Sequence, residues 1–291
     1  MRSLLFVPAD SERKLDKSLA SGADVVILDL EDSVAPQAKE AGRSLANSFL
    51  KQAKAAAGSQ RFFVRINDLR CGLADADLEA VMDAGPDGIM LPKSESGRDL
   101  QDLHARLDVL EAACGLEDGA TRILLVASET AASVFGLGTY GAKSDRLEGL
   151  AWGGEDLSAD IGASTNRDGS GAFTEPFRLV RNLCLFAAVA AHAAPIDTVY
   201  TNFRDLEGLA GECRGAERDG FTAKLAIHPA QVPIINGIFT PSEEALARAR
   251  RIVEAFAASG DQGVIGLEGE MLDRPHLKRA LRTLERAGLS A

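Results

Sequence analysis

Ile123-Leu124-Leu125-Val126-Ala127-Ser128-Glu129 is an apolar run closed by a carboxylate, and Leu150-Ala151-Trp152-Gly153-Gly154-Glu155-Asp156 repeats that arrangement further along the chain. Each run is short and apolar enough for a buried strand. Parallel pairing of neighbouring strands would bring the carboxylates together at one rim. Hard oxygen ligands held that way, with room for water and substrate, suit Mg²⁺.

Working outward, β-prone runs recur at Ser3–Val7, Val25–Asp29, Phe62–Ile66, Gly88–Leu91, Ile123–Ser128, Leu147–Trp152, Ile196–Tyr200 and Lys224–Ile227. Segments with helical spacing lie between them, among them Ser11–Ala20, Ala38–Ala57, Ala74–Ala84, Arg98–Ala113 and Pro176–Ala193. Strands alternating with helices imply parallel pairing through crossover helices. Eight such units predict a (β/α)₈ TIM barrel over residues 1–238. An open doubly wound sheet usually carries a Gly-rich loop after its first strand, and here that strand runs into Val7-Pro8-Ala9-Asp10. Residues 239–291 read as a C-terminal helical extension or lid. Thr240-Pro241-Ser242-Glu243-Glu244 starts a helix with Pro241 as its first residue, the helix runs over Glu243–Ala258, a Gly-rich stretch covers Gly260–Gly269, and a basic helix follows from about His276 to Ala287.

Composition narrows the function. With 32 basic against 43 acidic residues the formal charge is −11, which argues against a general nucleic-acid binder. Cys71, Cys114, Cys184 and Cys213 form no CxxC, and the histidines form no HxxxH or HExxH pair, so a zinc cluster is not expected and a reducing cytoplasm is the simplest setting. The apolar run Leu183–Ala194 is too short to span a bilayer.

Barrel active sites lie at the carboxyl-terminal rim of the strands. That rule selects Asp29, Glu31, Asp32, Arg65, Asn67, Lys93, Glu129, Glu155, Asp156, Thr198, Tyr200 and His228. Plainer readings exist for several. Glu129 and Asp156 each suit a helix amino terminus, Arg65 suits an ion pair with Asp29 or Glu31, Lys93 and His228 suit structural roles, and Asp32 with Lys39 suits a solvated pair. Together they favour one chemistry. A divalent ion on Glu129 and the Glu155-Asp156 pair could chelate a 2-oxo acid, Arg65 could hold a carboxylate or polarise an oxygen, and the charge of an enolate would be stabilised, as C–C cleavage or aldol addition requires.

These residues stand in stretches that resemble the citrate lyase β-subunit-like proteins, within the malyl-CoA lyase and HpcH/HpaI aldolase group. The stretches are Arg2–Pro8, Gly22–Val34, Val64–Asn67, Leu91–Lys93, Glu129–Ala131, Gly154–Leu157, Ile196–Tyr200, Ile227–Gln231 and Gly269–Pro275, in order along nearly the whole chain. The resemblance implies a trimeric or hexameric barrel, Mg²⁺ (with Mn²⁺ as a substitute) on Glu129 and Asp156, and Arg65 near the substrate. It implies that Asp273 acts as acid/base in the site of a neighbouring subunit. Asp29-Leu30-Glu31-Asp32 lacks the His of the simple aldolases' D-x-E-H pattern, and Met271–Pro275 keeps the tail Asp, so the resemblance points to a CoA-thioester lyase. The substrate expected is malyl-CoA or citramalyl-CoA. Arg13, Lys14, Lys17 and Lys39 are the candidates for the CoA phosphates. Thioester hydrolysis, and a subunit role on an acyl-carrier protein, are the alternatives. The Gly-bearing loop Asn166–Phe173 is longer than expected and bears on the acyl pocket.

Overall fold

The computed structural model describes residues 1–56, 58–260 and 262–289, so Ala57, Asp261, Ser290 and Ala291 lie outside the described residues, and with them the predicted end of the second helix. The chain divides into two compact units, Met1–Asn236 and Gly237–Ala291. In the first, β1 (Ser3–Pro8), β2 (Val25–Asp29), β3 (Arg61–Arg65), β4 (Gly88–Leu91), β5 (Arg122–Val126), β6 (Leu147–Ala151), β7 (Ala194–Asp197) and β8 (Ala223–Ala226) pair in sequence order and close, β8 against β1, into a barrel. Every pairing is parallel. The helices are α1 (Glu12–Ser18), α2 (Lys39–Ala56), α3 (Ala74–Val81), α4 (Gly97–Cys114), α5 (Ala131–Gly136), α6 (Glu155–Asp160), α7 (Glu175–Ala190), α8 (Leu206–Asp219) and α9 (Val232–Phe239), followed by α10 (Glu243–Ala258) and α11 (Arg274–Arg286). The (β/α)₈ TIM barrel with a C-terminal helical extension is therefore the fold. No helix among the described residues is long and apolar enough to cross a membrane.

Strand alternation explains the core. All five residues of β2 are buried, because helices cover one face and the barrel interior takes the other. Leu4, Val25, Ile27, Phe63, Met90, Leu124, Ile196 and Leu225 form one cluster. Phe63 fits only because its neighbour on β4 is Gly88, where a Cβ would come within 2.0 Å of the ring. Burying each such large side chain contributes about 1.5–3 kcal/mol.

The seventh strand differs from expectation. Ladder pairing stops at Asp197. Beyond it the Tyr200 carbonyl accepts from the side chain of Gln231, Nε2, at 2.8 Å. The extension differs too. The Gly-rich stretch contains β9 (Val264–Leu267), which pairs antiparallel with β10 (Glu270–Asp273). The two-residue turn Glu268-Gly269 has φ of 52° and 83°, the left-handed pair that a tight hairpin requires. Pro241 lies outside α10, because Ser242 takes the cap position and accepts from Ala245 N at 3.1 Å. Leu246, Ile252, Phe256, Ile265, Leu272 and Leu284 give this second unit a core of its own.

Candidate active site at the barrel rim

Alternation along β2 and β3 places Asp29 and Arg65 on the same interior face as Ile27 and Phe63, one step nearer the carboxyl end. They are also direct register partners. Arg65 Nε donates to Asp29 Oδ1 and Nη2 to Oδ2, each at 2.7 Å, a forked pair that fixes the guanidinium plane. Nη1 lies 2.8 Å from Glu31 Oε2, an oxygen in ionic contact but without an aligned hydrogen bond. The Phe6 ring lies 4.6 Å from the Arg65 guanidinium carbon. Burial opposes both charges of the Asp29–Arg65 pair. Mutual attraction wins, holding Asp29 below and Arg65 above their ordinary values.

Glu129 follows β5 and is buried. Its Oε2 accepts from Lys93 N at 2.6 Å. Lys93 adopts φ 51°, uncommon for a side chain with a Cβ, and this backbone carries the N–H that meets Glu129. Its ammonium contacts Glu31 and lies 3.5 Å from Asp32 and 3.4 Å from Asp156. One lysine thus touches the loops after β2, β5 and β6. Arg65, Glu129, Glu155 and Asp156 line a cavity of about 410 Å³ with Phe6, Asp29, Trp152 and Thr198. Gly153 is required there, because a Cβ would meet Glu129 Cγ at 2.5 Å. Gly153→Ala should cost about 1–3 kcal/mol by overpacking, and its effect should fall on Glu129. Thermal melting together with a metal titration would check both, and an unchanged titration would contradict the close approach.

Burial, then repulsion from Asp156 and Glu31, pushes the Glu129 carboxyl up to about 8 from an ordinary 4.5. Between those values the folded chain binds a proton that the unfolded chain has lost, so stability falls as pH rises. In chelator, this group should lower the melting temperature as pH climbs from 4.5 to about 8, and Glu129→Gln should flatten that slope. Scanning calorimetry across the window tests the sign.

Residues 2–229 match the profile of the HpcH/HpaI aldolase/citrate lyase family. The chain belongs to that family. Residues 176–290 also match the C-C bond lyase of the TIM-barrel fold. A citrate lyase subunit beta-like protein of Mycobacterium tuberculosis is 37% identical over 98% of this chain and 94% of its own length. A (3S)-malyl-CoA thioesterase of Cereibacter sphaeroides is 34% identical over 98% and 94%. Among solved structures, CitE from M. tuberculosis in complex with magnesium, acetoacetate and coenzyme A superposes with a TM-score of 0.77 at 36% identity, covering 99% of this chain and 98% of that one.

Within this citrate-lyase-type barrel some expected residues lie elsewhere. Lys39, a candidate for the CoA phosphates, has its ammonium engaged within the barrel. It is buried, and its ammonium donates to Leu30 O, Glu31 O and Asn67 Oδ1 at 2.6, 2.7 and 2.8 Å. The solvated Asp32–Lys39 pair is likewise replaced, since Asp32 lies beside Lys93. Lys39 instead pins the backbone that presents Glu31. Asn67 supports the same loop by donating to Leu30 O and Asp77 Oδ2. Arg13, Lys14 and Lys17 are exposed on α1. His228 caps the turn after β8 by accepting from Ala230 N, and stacks on Phe203. Tyr200 hydroxyl donates to Asp205. Glu155 accepts from Asn166 Nδ2 at 2.8 Å.

In the second unit, Asp273 ends β10 and precedes α11, with His276 Nδ1 2.5 Å from Oδ1. The imidazole holds this carboxyl below its usual range. A separate acidic group, Asp108, Glu111 and Asp118, is already filled by the Arg146 guanidinium at 2.7, 2.7 and 3.2 Å. Lys93 and Gly153 were the functional contributions hardest to read from sequence. Their only signals were a Lys two residues past the end of β4 and a Gly three residues before Asp156.

Proposed function

We propose that the chain is a Mg²⁺-dependent carbon–carbon lyase that cleaves, or in reverse forms, a 3-hydroxy-dicarboxyl-CoA thioester such as malyl-CoA or citramalyl-CoA. The products are acetyl-CoA and glyoxylate or pyruvate. The convergence of Arg65, Glu129 and Asp156 on one cavity carries the reading. Glu129 and Asp156 would hold Mg²⁺, with Mn²⁺ as a substitute. The cavity lining fits a hard cation because it offers carboxylates and neither sulfur nor imidazole. Burial first and crowding by Asp156 and Glu31 second raise Glu129, and a divalent charge would offset both. Bound there, the ion would polarise the oxygens of a 2-oxo acid and offset developing negative charge.

The chain's own groups supply the rest. Arg65 is held edge-on by Asp29, so its orientation is set before substrate arrives, and the spare hydrogens on Nη1 and Nη2 can meet a carboxylate or carbonyl oxygen. In the condensing direction Asp273 takes a proton from the acetyl methyl group, and the carbanion equivalent attacks the 2-oxo carbon. In cleavage the same proton returns to the acetyl carbon. Asp273 is assigned to the site of a neighbouring subunit in a homo-oligomer, trimer or hexamer, with residues 239–291 as its carrier. Arg13, Lys14 and Lys17 are assigned to the CoA phosphates.

A panel of CoA thioesters with Mg²⁺ tests the reading. Malyl-CoA or citramalyl-CoA should yield acetyl-CoA together with stoichiometric glyoxylate or pyruvate, and no 2-oxo acid from any thioester would overturn it. Mg²⁺ uptake should release protons below about pH 8 as Glu129 ionises, seen by calorimetry in buffers of differing ionisation heat. The identity shared with a malyl-CoA thioesterase supports a second reading, hydrolysis, in which free CoA appears without glyoxylate. A subunit role on an acyl-carrier protein predicts inactivity with free CoA thioesters.

A further inference from the structure

Behind the cavity, a closed circuit of side chains joins the loop after α6 to the cavity wall. Arg167 Nη2 lies 2.8 Å from Glu212 Oε2 on α8. Glu212 Oε1 accepts from Lys224 Nζ on β8 at 2.8 Å, and the same ammonium donates to Asp197 Oδ2 at 3.0 Å. Asp197 Oδ1 accepts from the Trp152 indole N–H at 2.7 Å. Trp152 meets the Phe173 ring edge-on at 4.9 Å between centroids, and the Arg167 guanidinium carbon lies 3.8 Å from the centre of that ring. The circuit closes where it began.

Three observations make it more than a surface contact. Lys224, Asp197 and Trp152 are fully buried, so each charge depends on its partners. Trp152 lines the cavity beside Glu129 and Asp156. The loop is also tied at a second point of the wall, where Asn166 holds Glu155. A buried, fully partnered polar network rigidifies what it touches. The loop that carries Arg167 and Phe173 therefore bears directly on where the indole stands.

We propose that Arg167 is a positioning residue which, through Glu212, Lys224 and Asp197 on one side and Phe173 on the other, holds Trp152 in place and so sets the size of the group admitted beside Glu129 and Asp156. The specificity half rests on the lyase reading, in which the group is the alkyl substituent of a 2-oxo acid. A looser Trp152 would admit 2-oxobutyrate where the parent prefers glyoxylate or pyruvate.

Trp152 is the single tryptophan of the chain, so its fluorescence reports on the circuit without substrate. The test uses the full-length protein and the variants Arg167→Met and Phe173→Leu, the second covering the case in which the first fails to fold. Acrylamide quenching of Trp152 should rise severalfold in each, with the far-ultraviolet circular dichroism unchanged. With Mg²⁺ present, the ratio of 2-oxobutyrate to pyruvate affinity should increase about tenfold, the discrimination that one methylene ordinarily carries. Unchanged quenching in both variants overturns the positioning role. Raised quenching with an unaltered ratio overturns the specificity role. A parent that binds no 2-oxo acid overturns the lyase reading, and the quenching result still judges the circuit.

Discussion

Glu129→Ala should abolish Mg²⁺-dependent binding of pyruvate and glyoxylate. The expected weakening exceeds the roughly 10–100-fold that follows loss of a residue merely supporting a metal ligand. The fold should survive. Glu129 is crowded by Asp156 and Glu31, and burial works against its charge, so its removal relieves the native state at alkaline pH. Melting in chelator at pH 8 should therefore hold or improve, while the calorimetric titration of 2-oxo acid with Mg²⁺ goes flat. Glu129→Gln separates charge from shape, because the amide can still accept from Lys93 N. Parent-like binding in either variant would remove Glu129 from the site.

Asp273→Asn divides binding from turnover in the opposite sense. Mg²⁺ and the 2-oxo acid should bind as in the parent, since the proposed ligands stand in the barrel unit. Turnover of malyl-CoA or citramalyl-CoA should fall by about 10²–10⁴-fold, the usual contribution of a general acid or base. The pairing with His276, 2.5 Å from Nδ1 to Oδ1, gives the Asp273 carboxylate a fixed orientation from which to act. Exchange of the acetyl-CoA methyl protons with deuterated water offers a second measurement, and it should slow in parallel. Full lyase activity in the variant would assign the proton transfer elsewhere.

Much of the site was legible because strand periodicity is local. Once Val25–Asp29 is read as a strand, Asp29 must share the face of Val25 and Ile27. Arg65 follows from the same count on its own strand. Their pairing with each other was one of two open choices, Asp29 or Glu31, and the register makes Asp29 the forked partner. The burial of Lys39 is not legible in the sequence, for a physical reason. A lysine on the first turn of a surface helix is ordinarily solvated, and nothing nearby in sequence reveals two backbone carbonyls and an asparagine waiting for its ammonium. The hairpin of the second unit was hidden because Glu268-Gly269 lacks the usual Asn-Gly or Asp-Gly signal.

By itself the sequence determined the alternation of strands and helices, the closure into a barrel and the chemical character of its rim, because each is written in patterns a few residues long. The tertiary structure alone decided which rim charges meet. Asp29 and Arg65 are 36 residues apart, Lys93 and Glu31 are 62 apart, and Lys93 and Glu129 are 36 apart. Contacts at such separations depend on strand register, on the left-handed backbone of Lys93 and on the missing Cβ of Gly153. The acids after β5 and in the first turn of α6 are thus a property of the chain, and their meeting with Lys93 is a property of the fold.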